Sequence, residues 1–311
     1  MIERRVSLLR VLPEYGQEAA QGVAEHAAES VGPMPMDELP DFIQHHIGDA
    51  KEIEFGGGHW SLESLSIDPI HIGSFTIDLS PTRQTLVMMV VAVLMLAIFI
   101  PLAAALRKKR KEKAPSGFVN AMEALVVYFR DEVVRANVGH GADAFTPFIL
   151  TIFFFILGMN LIGLTPLGIT PTANVSVTAA LAIVSFIVIE VAGFVSLGPV
   201  GYAKTIFYLP KGLPVLMRPI MLVILTPVEL IGKVAKPFAL AVRLLANMTA
   251  GHTLILLLMG AIFVLQSYLV GVAAVGMASV LMILELFVAC LQAYIFAMLT
   301  SVFIGLIRHA H

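Results

Sequence analysis

The side chains best able to do chemistry stand inside otherwise apolar stretches: Glu190, Glu229, Lys233, Lys236, Arg243, His252 and Glu285. The amides Asn160, Asn247 and Gln292 accompany them. A charge at the centre of a membrane-spanning helix costs about 2.5–3.5 kcal/mol on insertion scales, so such residues are rare and tend to mark ion pathways. Carboxylates and imidazole take up and release protons near neutral pH when their surroundings shift them. Arginine does not, because its pKa exceeds about 12. Acids and a histidine arranged beside a fixed arginine therefore suit proton transfer, with Arg243 as barrier and transient counter-ion.

Spacing brings these residues together. Glu229, Lys233 and Lys236 fall at i, i+4 and i+7, one face of a helix, and Arg243 and Asn247 continue the stripe. Glu285 and Gln292 share a face of the following apolar segment. Folding the two segments about residue 267 sets Arg243 opposite position 291, beside Gln292. The same fold sets Asn247 opposite 287 and His252 within a turn of Glu285. His252 and Glu285 then lie toward the hairpin turn and Glu229 toward the opposite end. Arg243 stands between two polar half-paths. The competing reading pairs Arg243 statically with Glu229 or Glu285. Lys233 is expected to snorkel to the interface, and Lys236 either snorkels or lines the path. Glu190 reads equally as pathway wall or packing contact. Asn160 reads first as a packing or backbone-capping amide, and second as part of the outer path.

The elements that must hold these residues are membrane helices. Of 311 residues, 58% are hydrophobic and 14% charged, where a soluble domain would carry about 25% charged. Residues 1–83 hold fourteen acidic and five basic side chains, and the remainder holds eight acidic and fifteen basic. The two regions thus face different surroundings: an acidic extension at 1–83 and a membrane domain at 84–311. Spans are expected at about 84–106, 146–167, 177–197, 220–263 and 269–306, each long enough for a core of about 30 Å. The basic run Arg107-Lys108-Lys109-Arg110-Lys111 after the first span marks the cytoplasmic side. Lys204, Lys211 and Arg218, between the third and fourth spans, agree with that orientation. The N-terminus is then outside and the C-terminus cytoplasmic. The amphipathic stretch 115–137, with Phe118, Met122, Leu125 and Phe129 against Glu123, Arg130 and Asp131, should lie at the interface. The last two segments are too long for simple spans and lack polar loops, so they are expected as one long tilted hairpin, bent at Pro227, Pro237 or Gly251. The fold class is all-α integral membrane, with short strands or hairpins possible around Ser64–Ile72 and Phe75–Leu79.

Other chemistries find little support. His26, His45, His46, His59 and His71 show no metal-ligand spacing and read as solvated side chains, so no metal is expected. The lone Cys290 permits no intrachain disulfide. The N-terminus lacks the apolar run of a secretory signal, and Glu3, Glu14 and Glu18 argue against a transit peptide. No HExxH motif or nucleophile–base constellation is present, so the chain is not expected to be catalytic alone. A basic cluster tied to a membrane span is a poor nucleic-acid patch.

At this point a resemblance stands out. Lys236-Pro-Phe-Ala-Leu-Ala-Val-Arg243-Leu-Leu-Ala-Asn247-Met-Thr-Ala-Gly251-His252 closely resembles the signature of the a subunits of F-type ATP synthases, in their bacterial form. Leu-Glu285-Leu-Phe-Val-Ala-Cys-Leu-Gln292 resembles the matching last-helix motif, and Asn160-Leu-Ile-Gly-Leu-Thr-Pro166 and Thr172-Ala-Asn174-Val-Ser-Val-Thr178 add support. The resemblance covers residues 84–308. It implies a proton-conducting stator subunit, with partners in a c-subunit ring, the peripheral-stalk b subunits, other synthase subunits and the bilayer. It implies no cofactor, and residence in a bacterial inner membrane, with the mitochondrial inner membrane as the alternative. Arg243 matches the arginine that faces the ring carboxylate, His252 and Glu285 the inlet half-channel, and Glu229 the exit-side carboxylate. Asn247 and Gln292 match polar residues near the arginine. Many bacterial members carry an acid at the first inlet position and a histidine at the second; here they are exchanged. An acid that the family often carries on the third helix pattern is replaced by Gly163. The alternative of another class is a self-contained secondary transporter, with Arg243 as its substrate or counter-ion site. The absence of an internal repeat argues against it.

Overall fold

The computed structural model describes residues 80–109, 117–165, 168–207, 214 and 217–309. It also describes four short strands and positions 35, 36, 38–40, 43 and 48. The strands form two antiparallel hairpins. Glu52–Phe55 (β1) pairs with Gly58–Ser61 (β2), Ile53 opposite Trp60; Ile70–Ile72 (β3) pairs with Phe75–Ile77 (β4), His71 opposite Thr76. The second hairpin lies where weak alternation suggests strands. His26, His45, His46, Lys111 and Lys211 lie outside the described residues.

Among the described residues, five helices are long and apolar enough to cross a membrane. They are Arg83–Lys109 (α1), Thr146–Gly163 (α3), Val175–Ile206 (α4), Arg218–Leu265 (α5) and Tyr268–Arg308 (α6). Between the first two lies Phe118–Tyr128 (α2), which continues through a π-helical segment, Phe129–Arg135. The wider turn rotates the helix face. Phe129, Val133 and Val134 are buried there, while Arg130, Asp131 and Arg135 stay outside. Local signals fit the starts. Pro147 stands in the first turn of α3, where its missing N–H is harmless. The Asn174 side chain accepts a hydrogen bond from the Ser176 amide at 2.7 Å and caps α4.

The helix α4 runs past its expected end because it bends at Gly198 (φ 69°, ψ 171°), a backbone region open essentially to glycine alone. The segment after the bend folds back toward the helix body. The helices α5 and α6, 48 and 41 residues long, form the expected hairpin. At 1.5 Å per residue they extend about 72 and 62 Å, twice the hydrocarbon core, so they must tilt strongly. The helix continues through Pro227 and Pro237. The link is Gln266–Ser267, with Gln266 left-handed at φ 46°.

The helix α6 is the hub, packed against α3, α4, α5 and the π-helical segment. Its inner face carries Ala289, Ala293, Ala297, Ser301 and Gly305 at every fourth position, all buried. Small residues at that spacing let helix backbones approach closely within a membrane. Ser301 donates to the Val133 carbonyl at 3.0 Å, tying α6 to the interfacial helix. The opposite faces of α1 and α4 present Met89, Val93, Ile100, Ile187 and Val191 outward, suited to lipid.

Candidate functional site

The polar residues gather at three levels along the α5–α6 hairpin. Nearest the turn, His252 of α5 meets Glu285 of α6, with imidazole Nδ1 3.6 Å from Oε1. Both side chains are largely enclosed, 14% and 13% exposed. Glu285 reaches this place because residue 251 is glycine: a Cβ there would overlap its carboxylate. The other ring nitrogen, Nε2, donates to the Gly163 carbonyl at 3.0 Å, since a carbonyl can only accept. The same nitrogen lies 2.7 Å from the Thr170 hydroxyl. With its proton on Nε2, a neutral imidazole turns a bare Nδ1 toward a carboxylate. One further proton, on either group, joins them. An imidazole and a carboxylate set this way can share a single proton.

Thr170 also explains the residue that departs from the family's pattern. A Cβ at Gly163 would overlap the Thr170 side chain, so α3 has no room for an acid at this position. A backbone carbonyl and a hydroxyl face His252 instead. Spacing does not reveal Thr170, because it lies in the connection before α4 and on no helical face. Its only signal is a polar residue beside Pro171 between two spans. Arg83, Gln84 and Ala173 join Thr170 and His252 around a small cleft at the N-terminal ends of α1 and α4.

At the middle level, Asn247 donates from Nδ2 to Gln292 Oε1 at 3.0 Å. Folding about residue 267 pairs Asn247 with 287; the observed partner lies more than one turn further along α6. Asn160 is wholly buried. It donates to the Ala289 carbonyl at 3.3 Å and accepts from Thr172 at 2.7 Å, so it joins α3, α6 and the connection before α4. Those contacts are the ones expected of a packing amide.

Arg243 is different. Its side chain is exposed on the outer face of α5. Among the described residues it makes no hydrogen bond or ion pair, and Glu285 is paired with His252 instead. The static pair with Glu229 or Glu285 does not form. Ala239, Ala246 and Ala250 surround Arg243 on the same exposed face, while Leu240, Leu244 and Met248 turn inward.

At the far level, Glu229 is half-buried and likewise makes no hydrogen bond or ion pair among the described residues. Lys236 is exposed, its ammonium 5.5 Å from the Phe303 ring centre. Lys233 corrects the snorkelling expectation. It is only 9% exposed and points into the protein. Its ammonium lies 3.2 Å from Glu190 Oε2, 3.3 Å from the Thr205 hydroxyl and 4.4 Å from the Tyr202 ring centre. The Tyr202 hydroxyl donates to the same Glu190 oxygen. Tyr202 and Thr205 arrive from beyond the Gly198 bend. Sequence spacing hides this, because twelve residues of straight helix would hold Tyr202 and Glu190 about 18 Å apart.

Comparison with known proteins agrees with this architecture. The family profile described as "ATP synthase A chain" matches residues 85–305. A protein of Chloroherpeton thalassium named ATP synthase subunit a is 42% identical over 262 residues, 84% of this chain and 75% of its own. ATP synthase subunit a 2 of Chlorobaculum tepidum is 38% identical over 290 residues, 93% and 76% of the two chains. ATP synthase subunit a of Anaeromyxobacter dehalogenans is 39% identical over 310 residues, 96% and 78%. With a profile spanning every membrane helix and relatives matching over most of both lengths, this chain belongs to the ATP synthase A chain family.

Proposed function

We propose that this chain is the proton-conducting stator subunit of a rotary ATP synthase, working against a ring of c subunits. The observation that carries the reading is Arg243, an exposed arginine near the middle of a long apolar helix, with no partner among the described residues. A guanidinium left against hydrocarbon is strongly disfavoured. The surrounding alanines leave room for another helix to approach closely. A neighbouring helix with a membrane-embedded carboxylate answers both the charge and the shape.

Protons then enter from outside through the cleft of Arg83, Gln84 and Thr170, pass the His252–Glu285 pair and neutralise a ring carboxylate. A neutral carboxyl can rotate into lipid; an ionised one cannot. After nearly a full turn the site loses its proton toward Glu229 and is drawn to Arg243. Glu229 lies fourteen residues before Arg243 and His252 nine after it, about 21 and 14 Å along the helix. The two paths are therefore offset across the membrane, with a fixed positive charge between them. A membrane potential supplies about 2.3 kcal/mol per charge per 100 mV. The N-terminus lies outside and the C-terminus in the cytoplasm, and residues 1–83 form an extension on the outer side. The peripheral-stalk b subunits complete the stator.

A photo-crosslinking residue at Ala246 tests the partner. In the intact complex it should capture a small subunit whose helix carries a buried carboxylate. Capture of lipid alone would leave Arg243 without its proposed partner.

A further inference from the structure

A groove opens on the membrane-facing side where α3 begins and α4 approaches its bend. Phe145 and the α4 residues Ile187, Val188, Val191 and Val195 line it, and Arg308, the last residue of α6, stands at its polar end. Ile187, Val191 and Val195 are each more than half exposed, so the groove lies open sideways to hydrocarbon. The Arg308 guanidinium carbon is 5.4 Å from the Phe145 ring centre, and the group passes close beside Gly141. It makes no hydrogen bond or ion pair among the described residues.

Two carboxylates of this surface, Asp131 and Asp143, are engaged elsewhere. Both oxygens of Asp143 accept from Arg135, each at 2.8 Å. Asp131 accepts from Arg130 and Arg135, both at 2.9 Å. Hydrogen bonds from these arginines hold both carboxyls below the usual carboxylate range, which keeps them anionic and committed to those partners. Glu132, exposed on the same turn, forms no ion pair with Arg308. Among the described residues, a guanidinium without an acidic partner thus borders an apolar channel at the end of a membrane helix.

We propose that this groove binds an anionic phospholipid of the leaflet in which α3 begins, its headgroup phosphate on Arg308 and one acyl chain along Ile187, Val191 and Val195. The leaflet is cytoplasmic in the orientation given above; the site itself needs only the bilayer. Basic pockets between membrane helices hold anionic headgroups, and the planar fork of arginine matches phosphate oxygens. A partner's apolar helix would satisfy the walls but leave the guanidinium facing hydrocarbon.

The test uses the intact synthase complex in phosphatidylcholine nanodiscs. These are doped with a trace of phosphatidylglycerol or phosphatidylcholine carrying a diazirine on the acyl chain. After irradiation, labelled peptides are mapped by mass spectrometry. The phosphatidylglycerol probe should label 187–195 about fivefold more than the phosphatidylcholine probe, the factor for one basic residue at an anionic surface. R308Q should remove that preference and R308K should keep most of it. Equal labelling by the two probes in the wild-type complex overturns the proposal as ordinary annular lipid. Labelling by neither overturns it in favour of a protein occupant. The wild-type comparison stands even where R308Q fails to assemble.

Discussion

The His252–Glu285 pair depends on residues that are not themselves acids or bases. Gly251 leaves the space Glu285 occupies, and Thr170 and Gly163 orient the imidazole. Gly251→Ala should push the carboxylate off His252. ATP-driven proton uptake by reconstituted vesicles should then fall about tenfold to a hundredfold, the range for misplacing a reacting group by about 1 Å, while the complex still assembles. Thr170→Val keeps the shape and removes the hydroxyl. Loss of one hydrogen bond, about 1 kcal/mol, should slow uptake about fivefold, measured by the same assay; an unchanged rate would remove Thr170 from the path. Charges inside apolar spans are legible in a bare sequence because they are expensive there, which is how Glu229, Arg243, His252 and Glu285 declare themselves. Thr170 is not legible, because a hydroxyl in a connection carries no such signal. Lys233 is misread for a related reason. Its length lets it reach either the interface or an interior acid, and only the folded position of Glu190 decides.

At the scale of elements, periodicity and length were enough to find the five spans, the interfacial helix and the long hairpin. They could not find the Gly198 bend, where one glycine's backbone turns the end of α4 back over the Glu190–Lys233 pair. Gly198→Ala meets no side chain, so its cost is backbone strain alone, about 1–3 kcal/mol. Thermal inactivation of the solubilised complex should shift down accordingly; no shift would mean the bend relaxes without cost. The buried pair gives a second check. Lys233→Met leaves the Glu190 carboxylate uncompensated in a low-dielectric interior and should destabilise by about 3–5 kcal/mol. Adding Glu190→Met should recover most of that loss. A double variant as unstable as the single one would assign the effect to packing rather than to charge. The hairpin register shows a similar limit. Folding about residue 267 pairs Asn247 with position 287, whereas its hydrogen-bond partner is Gln292, five positions further along α6.

For the whole molecule, the hub helix α6 fixes one face of the hairpin against α3 and α4 and leaves the other face, with Arg243, exposed. The proposed division of labour follows from that layout. In that proposal His252 and Glu285 would serve one side of the membrane and Glu229 the other, and the arginine between them would keep a proton from passing directly. The most direct measurement is proton movement in vesicles containing the complex with Arg243→Ala. ATP-driven proton uptake should vanish while the complex remains assembled, and passive proton leak under an imposed potential should rise, because the barrier between the two paths is gone. Coupled uptake at a substantial fraction of the wild-type rate, with the leak unchanged, would contradict the account.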